Sequence, residues 1–195
     1  MVNTMKEKYL SEIIEKEWDM FTSVNAINKN APCLNNKREF TIVRLSHWMV
    51  YDEDILKSYL DDIDGFTREG RNIVAEKYAW MMETTEPKHF STIRHLLRPV
   101  SEEKQQLIEA ILLINKYWYS HITRELPNTI KYSREVGSLQ DKIDNTSVET
   151  YMRGEFNTYS EKTLRKILKY YLLKSKEGVN IPFEIIKNQV VMEMR

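Results

Sequence analysis

The sequence predicts an all-α protein built from two pseudo-symmetric helical halves. Three observations carry this. Tyr51, Glu53 and Leu56 return as Tyr159, Glu161 and Leu164, and Glu69, Gly70, Asn72, Ile73 and Glu76 return as Glu177, Gly178, Asn180, Ile181 and Glu184. Every match has the same offset of 108 residues without a gap, the sequence mark of a duplicated supersecondary unit. Apolar residues recur with a helical period, and no β-branched alternation of any length interrupts them. Five Gly and five Pro in 195 residues are too few for a sandwich, while 30 % charged residues suit a helical surface.

Taken in order, Thr4 and Glu7 form a capping box that opens a helix running to about Asn28, with Leu10, Ile13, Ile14, Phe21 and Val24 on one stripe. A loop around Pro32 and Cys33 comes next. The second helix covers Lys37 to Val50, and Asp52 caps a third that ends near Gly70. A fourth begins at Asn72 and stops before Pro87. Gly70 and Gly178 supply left-handed helix ends, and Asn72 and Asn180 each cap the succeeding helix. One short helix is expected from Pro87 to Leu97. Ser101 then caps a long helix, with Glu102 and Glu103 at its positive end. Apolar residues from Ile108 to Tyr119 surround that helix on all sides, so it is expected to be central and buried. Pro127 ends it, and residues 128–145 read as a surface loop. Thr146 or Ser147 caps the next helix, Ser160 the one after, Gly178 closes it, and Pro182 sits in the first turn of the last.

The expected organisation is a single domain, 1–195, with half-repeats at about 4–86 and 101–195 joined by a connector at 87–100. At the offset of 108, Phe40, Val43, Trp48 and Tyr51 match Val148, Tyr151, Phe156 and Tyr159. The first helix is expected to match the long one with Trp18 opposite Trp118.

Lys+Arg and Asp+Glu both number 29, so no global field attracts nucleic acid or an anionic membrane. The most apolar run, Ile108 to Ile114, is too short to span a bilayer. A single cysteine rules out an internal disulfide, and the N-terminus lacks a signal peptide's apolar stretch. A cytoplasmic location is the expectation.

Polar residues on apolar stripes are the candidates for chemistry. Glu17 lies between Ile14 and Phe21. Arg44 and His47 share a stripe with Phe40, Val43 and Tyr51, and Glu155 shares one with Tyr151, Phe156 and Tyr159. His47 and Glu155 are repeat mates. Buried charge is costly unless paired, so one shared cluster of Glu17, Arg44, His47 and Glu155 is expected. Three readings stay open: a structural ion-pair network, a polar pocket between the repeats, and a carboxylate–histidine metal site of Glu17, His47 and Glu155. In the pocket reading, Glu17, His47 and Glu155 are the acid/base candidates, and Arg44, Trp18, Tyr51, Tyr159 and Arg153 would contact a small polar or anionic molecule. No motif indicates a cofactor. His89 and His95 read as surface residues, and His121 pairs with Glu125.

Several strings resemble an uncharacterised bacterial family, domain of unknown function 4125. They are Glu17-Trp18, Cys33, Phe40 with Arg44, Tyr59-Leu60, Glu69 to Asn72, Glu76-Lys77-Tyr78 with Met81-Met82-Glu83, Thr146 to Glu155, and Tyr159 to Leu164, over roughly residues 6 to 180. His47, Leu34 and Trp80 depart from the family's pattern. The resemblance implies a bacterial helical protein and supplies no activity. Two function classes therefore remain: a binder of a small polar molecule, which acts on it if catalytic, and a non-catalytic interaction or homodimerising module. The first needs a cavity of about 300 Å³ or more; the second needs an exposed apolar patch and a closed core.

Overall fold

A computed structural model describes residues 4–25, 36–125, 137–138, 141 and 146–194. Cys33 and nearly all of the expected loop at 128–145 lie outside the described residues. Every regular element among the described residues is helical: α1 (Met5–Asn25), α2 (Lys37–Trp48), α3 (Glu53–Arg68), α4 (Ile73–Thr85), α5 (Pro87–Ile93) with a 3₁₀ turn (Arg94–Leu96), α6 (Glu102–Glu125), α7 (Val148–Thr158), α8 (Glu161–Lys176) and α9 (Ile181–Glu193).

Local chemistry sets the ends. The Thr4–Glu7 box forms reciprocally, with Thr4 N–H donating to Glu7 Oε2 at 2.8 Å and Glu7 N–H to Thr4 Oγ1 at 3.2 Å. Asp52, Ser147 and Ser160 each accept from the backbone N–H three residues on, so Ser147 and not Thr146 is the cap of α7. Asn36 caps α2, which the sequence reading did not assign. The helix expected from Pro87 to Leu97 is one turn of 3₁₀ after a shorter α-helix.

The chain forms two compact units: Met1–Ala75 with Phe183–Arg195, and Glu76–Pro182. Most of α4 thus falls in the second unit and most of α9 in the first, whereas a division at 87–100 would assign them the other way. In the first unit α1 packs on α2 and α3, burying Ile13, Ile55, Leu56, Ile63 and Phe66. In the second, α6 packs on α7 and α8, burying Ile108, Ile111, Leu164, Ile167 and Tyr171.

The offset of 108 holds in the backbone. α8 begins and ends 108 residues after α3, as α9 does after α4. Gly70 and Gly178 have φ of 66° and 71°. Each closes a Schellman end, with Arg71 N–H reaching Phe66 O and Val179 N–H reaching Lys174 O at 2.9 Å. Two further bonds recur. Lys6 Nζ donates to Met49 O at 2.8 Å and Lys104 Nζ to Asn157 O at 2.7 Å. Asn72 Nδ2 donates to Met20 O at 2.9 Å and Asn180 Nδ2 to Trp118 O at 3.0 Å. These bonds pair Lys6 with Lys104 and Met20 with Trp118, an offset of 98 between α1 and α6. Trp118 therefore corresponds to Met20, and the expected match with Trp18 is replaced.

The long helix also departs from expectation. α6 buries Ile108, Ile111, Leu112, Asn115, Trp118 and Ile122. Leu113 and Tyr117, however, are 70 % and 59 % exposed. α6 is a two-sided helix with one open apolar face, not a central one.

Alanine at Gly70 or Gly178 meets nothing within 4 Å, so its cost is purely conformational. Each substitution is expected to lower stability by about 1–2 kcal/mol through the left-handed φ. Urea unfolding of the two single variants measures this, and an unchanged midpoint at either would refute it.

Candidate functional site

The first unit closes around one carboxylate. Glu17 lies on the buried face of α1 and is 2 % exposed, while Glu15 on the same helix faces solvent. Arg44 of α2 donates from Nε to Glu17 Oε2 at 2.7 Å and from Nη2 to Oε1 at 2.6 Å. Trp48 Nε1 and Tyr59 Oη donate to the same Oε1 at 3.2 and 2.8 Å. A carboxylate has about four acceptor positions, and these four donors, three on Oε1 and one on Oε2, give it the hydrogen bonds that a buried charge requires. Trp48 stacks on Tyr59 at 4.1 Å between centroids and lies 5.6 Å from the Arg44 guanidinium, which packs the pair in aromatic surface. Such a carboxylate is held in place from three side chains.

The other candidates of this unit surround that core. His47 is half-buried, edge-on to Trp48 at 4.9 Å and 5.6 Å from the Tyr51 ring. Tyr51 is buried. Trp18 is half-buried against Phe21 and Phe40, with Lys37 Nζ 5.9 Å above its ring. Val43, expected on the stripe, is 40 % exposed; the α2 face that turns inward is Arg44 and Trp48.

In the second unit Glu155 is buried at 5 % exposure, and its ion-pair partner is Lys77 of α4, at 3.8 Å. Lys77 is itself buried, donates to Tyr151 Oη at 2.8 Å, and lies 4.3 Å from the Tyr151 ring centroid. The close approach of α4 and α7 comes from Gly154. A Cβ there would stand 2.7 Å from Met81 Cγ and 2.9 Å from Lys77 O. The sequence reading missed Lys77 as a site residue. Its signal was the small residue beside Glu155 on an apolar helix face, which marks close backbone approach. Tyr159 is buried in the same unit, edge-on to Phe156 at 5.7 Å.

Arg153, expected to contact a ligand, bridges Glu109 and Glu149. Glu149 also accepts Lys116 Nζ at 2.8 Å. Burial opposes ionisation of Glu149, but the hydrogen bond and charge of Lys116, with Arg153 behind them, hold its carboxyl below the usual carboxylate range. A depressed folded-state pKa stabilises the fold above the unfolded value, about 4.5, and that contribution is lost as pH falls through the folded value. Wild type and Glu149→Gln are therefore expected to differ in unfolding free energy at pH 7 and to converge below about pH 4.5. A constant difference across that range in a urea titration would contradict it.

A third feature lies on the outer face of α6 and α8. Leu107, Leu168, Leu172 and Leu173 line an open groove of about 440 Å³, bordered by Arg165, Lys169 and Lys176. Leu172 and Leu173 are 50 % and 51 % exposed. Among the described residues no group of three or more His, Cys, Asp and Glu is placed to hold a metal ion. No helix of the described residues is long and apolar enough to cross a membrane.

The family model described as Protein of unknown function (DUF4125) matches residues 7–193. The chain belongs to the DUF4125 family. No curated protein and no solved structure matches it. The strings that carry the resemblance to DUF4125 supply both buried networks: Glu17, Arg44 and Tyr59 in one unit, Lys77, Tyr151, Gly154 and Glu155 in the other.

Proposed function

We propose that this DUF4125 protein is a non-catalytic interaction module, formed by internal duplication, whose second half carries a docking face on α6 and α8. One observation carries the reading: two leucines, Leu172 and Leu173, stand half exposed on an open apolar groove. The burial of Glu17 among protein donors supports it from the other side. A ligand site needs polar groups turned to a cavity, whereas Glu17 is buried and turned to Arg44, Trp48 and Tyr59. The duplication rests on the shared helix boundaries, caps and bonds at offsets of 108 and 98. A cytoplasmic setting is consistent with the lone cysteine.

Leu172→Asp tests the reading. The residue is half exposed, so the fold is expected to keep its melting temperature within the surface range of about 0.5 kcal/mol. Binding partners recovered with the full-length protein and identified should be lost in this variant. Retention of every partner would remove the groove from the function. A small polar molecule that stabilises wild type but not Arg44→Ala would restore the pocket reading instead.

A further inference from the structure

The groove also specifies the chemistry of its occupant, given that the docking reading holds. α8 carries Lys162, Arg165, Lys166, Lys169, Lys174 and Lys176 against a single Glu161. Arg165 shares its charge with Glu103 and Glu161. Lys169 and Lys176 border the groove, and among the described residues neither has an ion-pair partner. Four leucines thus sit inside a positively charged rim.

Two occupants fit this poorly. A second copy of the chain, docked symmetrically through the same face, would set Lys169 and Lys176 against their own counterparts, and like charges in contact disfavour the dimer. A membrane surface would attract the lysines, but an apolar groove between two helices receives side chains better than it inserts into lipid. An amphipathic helix that presents apolar anchors at i, i+3, i+4 and i+7 satisfies both features when its flanks are acidic.

The corresponding face of the first half shows that the fold does not require this surface. At offsets of 98 and 108, Leu107, Leu172 and Leu173 become Tyr9, Asp64 and Gly65, and Lys169 becomes Asp61. There the charges close on themselves: Lys57 on Asp61 at 3.1 Å and Lys16 on Asp64 at 2.5 Å. Leu168 and Lys176 keep their character as Leu60 and Arg68, but in the first half aspartates meet Lys16 and Lys57, whereas in the second half Lys169 and Lys176 ring exposed leucines.

We propose that the α6/α8 groove binds an acidic amphipathic helix of a partner protein, through Leu107, Leu168, Leu172 and Leu173 with Lys169 and Lys176. The test displays a library of helical peptides with leucines at i, i+3, i+4 and i+7 and randomised flanking positions. It is selected on the full-length protein, with Leu172→Asp as the counter-target. Selected peptides should be enriched in Asp and Glu at the flanks, and a synthesised one should bind at least tenfold more weakly to the Lys169→Glu/Lys176→Glu variant. Its Lys-for-Glu counterpart should lose binding to a similar degree. Selection of neutral or basic flanks, with binding still lost in Leu172→Asp, would overturn the acidic partner and keep the docking face. Tighter association with vesicles of mixed phosphatidylserine and phosphatidylcholine than with any peptide would assign the face to a membrane. No selection above the Leu172→Asp background would overturn the docking reading itself.

Discussion

Glu17→Gln is expected to lower stability by about 3–5 kcal/mol, because it strands the Arg44 cation in a site where Arg44 is only 6 % exposed. For a chain of this size that corresponds to a fall in melting temperature of roughly 6–20 °C. Glu15→Gln, at an exposed position on the same helix, should change stability by no more than about 0.5 kcal/mol. The loss comes from stranding a charge, not from deleting a valuable contact, and the second half makes that distinction testable. Glu17, Arg44, Trp48 and Tyr59 correspond there to Asn115, Met152, Phe156 and Ile167, a set with no formal charge. Asn115 is buried and donates to Ile111 O within its own helix. Combining Glu17→Asn with Arg44→Met should therefore recover a large part of what either single change loses, since removing both charges leaves no unpaired ion. If Glu17→Gln and Glu15→Gln melt together, the network contributes nothing to the fold. If the double variant is as unstable as the sum of its parts, the pair is not acting as a pair.

Gly154→Ala is expected to destabilise, against the usual sign for glycine in a helix. Alanine in a helix interior normally gains about 1 kcal/mol over glycine. At position 154 the added Cβ would meet Met81 Cγ at 2.7 Å and the Lys77 carbonyl at 2.9 Å. The methionine side chain can turn aside, but the carbonyl belongs to the backbone of α4, so α4 and α7 must separate. Overpacking of this kind costs about 1–3 kcal/mol. Separation would also stretch the bonds that Lys77 makes to Tyr151 and Glu155, leaving both charges less well compensated in a buried setting. A net loss of about 1 kcal/mol or more is therefore expected, and Gly154→Val should lose more. Gly65→Ala is the control. Its nearest neighbour is Arg68 Nη2 at 3.9 Å, an ordinary contact, so the same chemical change in α3 should be neutral or stabilising by up to about 1 kcal/mol. Equal effects at the two glycines would show that the α4–α7 contact is loose.

The two networks also explain how far a linear reading reaches. Glu17 and Arg44 were legible because each interrupts an apolar stripe on its own helix, and two buried opposite charges need each other. Trp48 and Tyr59 as further donors to Glu17 were not, because an aromatic residue on a stripe looks the same whether or not its polar atom is used. Lys77 was overlooked because a lysine within a mixed helix reads as surface. Its burial depends on α7 coming close enough to cover it, which in turn depends on a glycine in another helix.

Most helices of this protein, several of their caps and the constant offset of 108 are legible in the linear sequence. Those features arise from interactions a few residues long: a hydroxyl or carboxylate three residues before an unpaired N–H, a glycine free to take φ near +70°, and a 3.6-residue apolar period. The tertiary structure decided the rest. It chose which apolar face of α6 is buried and left Leu113 and Tyr117 in solvent, and it gave Glu155 a lysine partner 78 positions away in the chain. It also set the α1–α6 register at 98 through the Lys6/Lys104 and Asn72/Asn180 bonds. The reason is physical: periodicity says that a face is apolar, but only the packing of distant helices decides which apolar face loses its water.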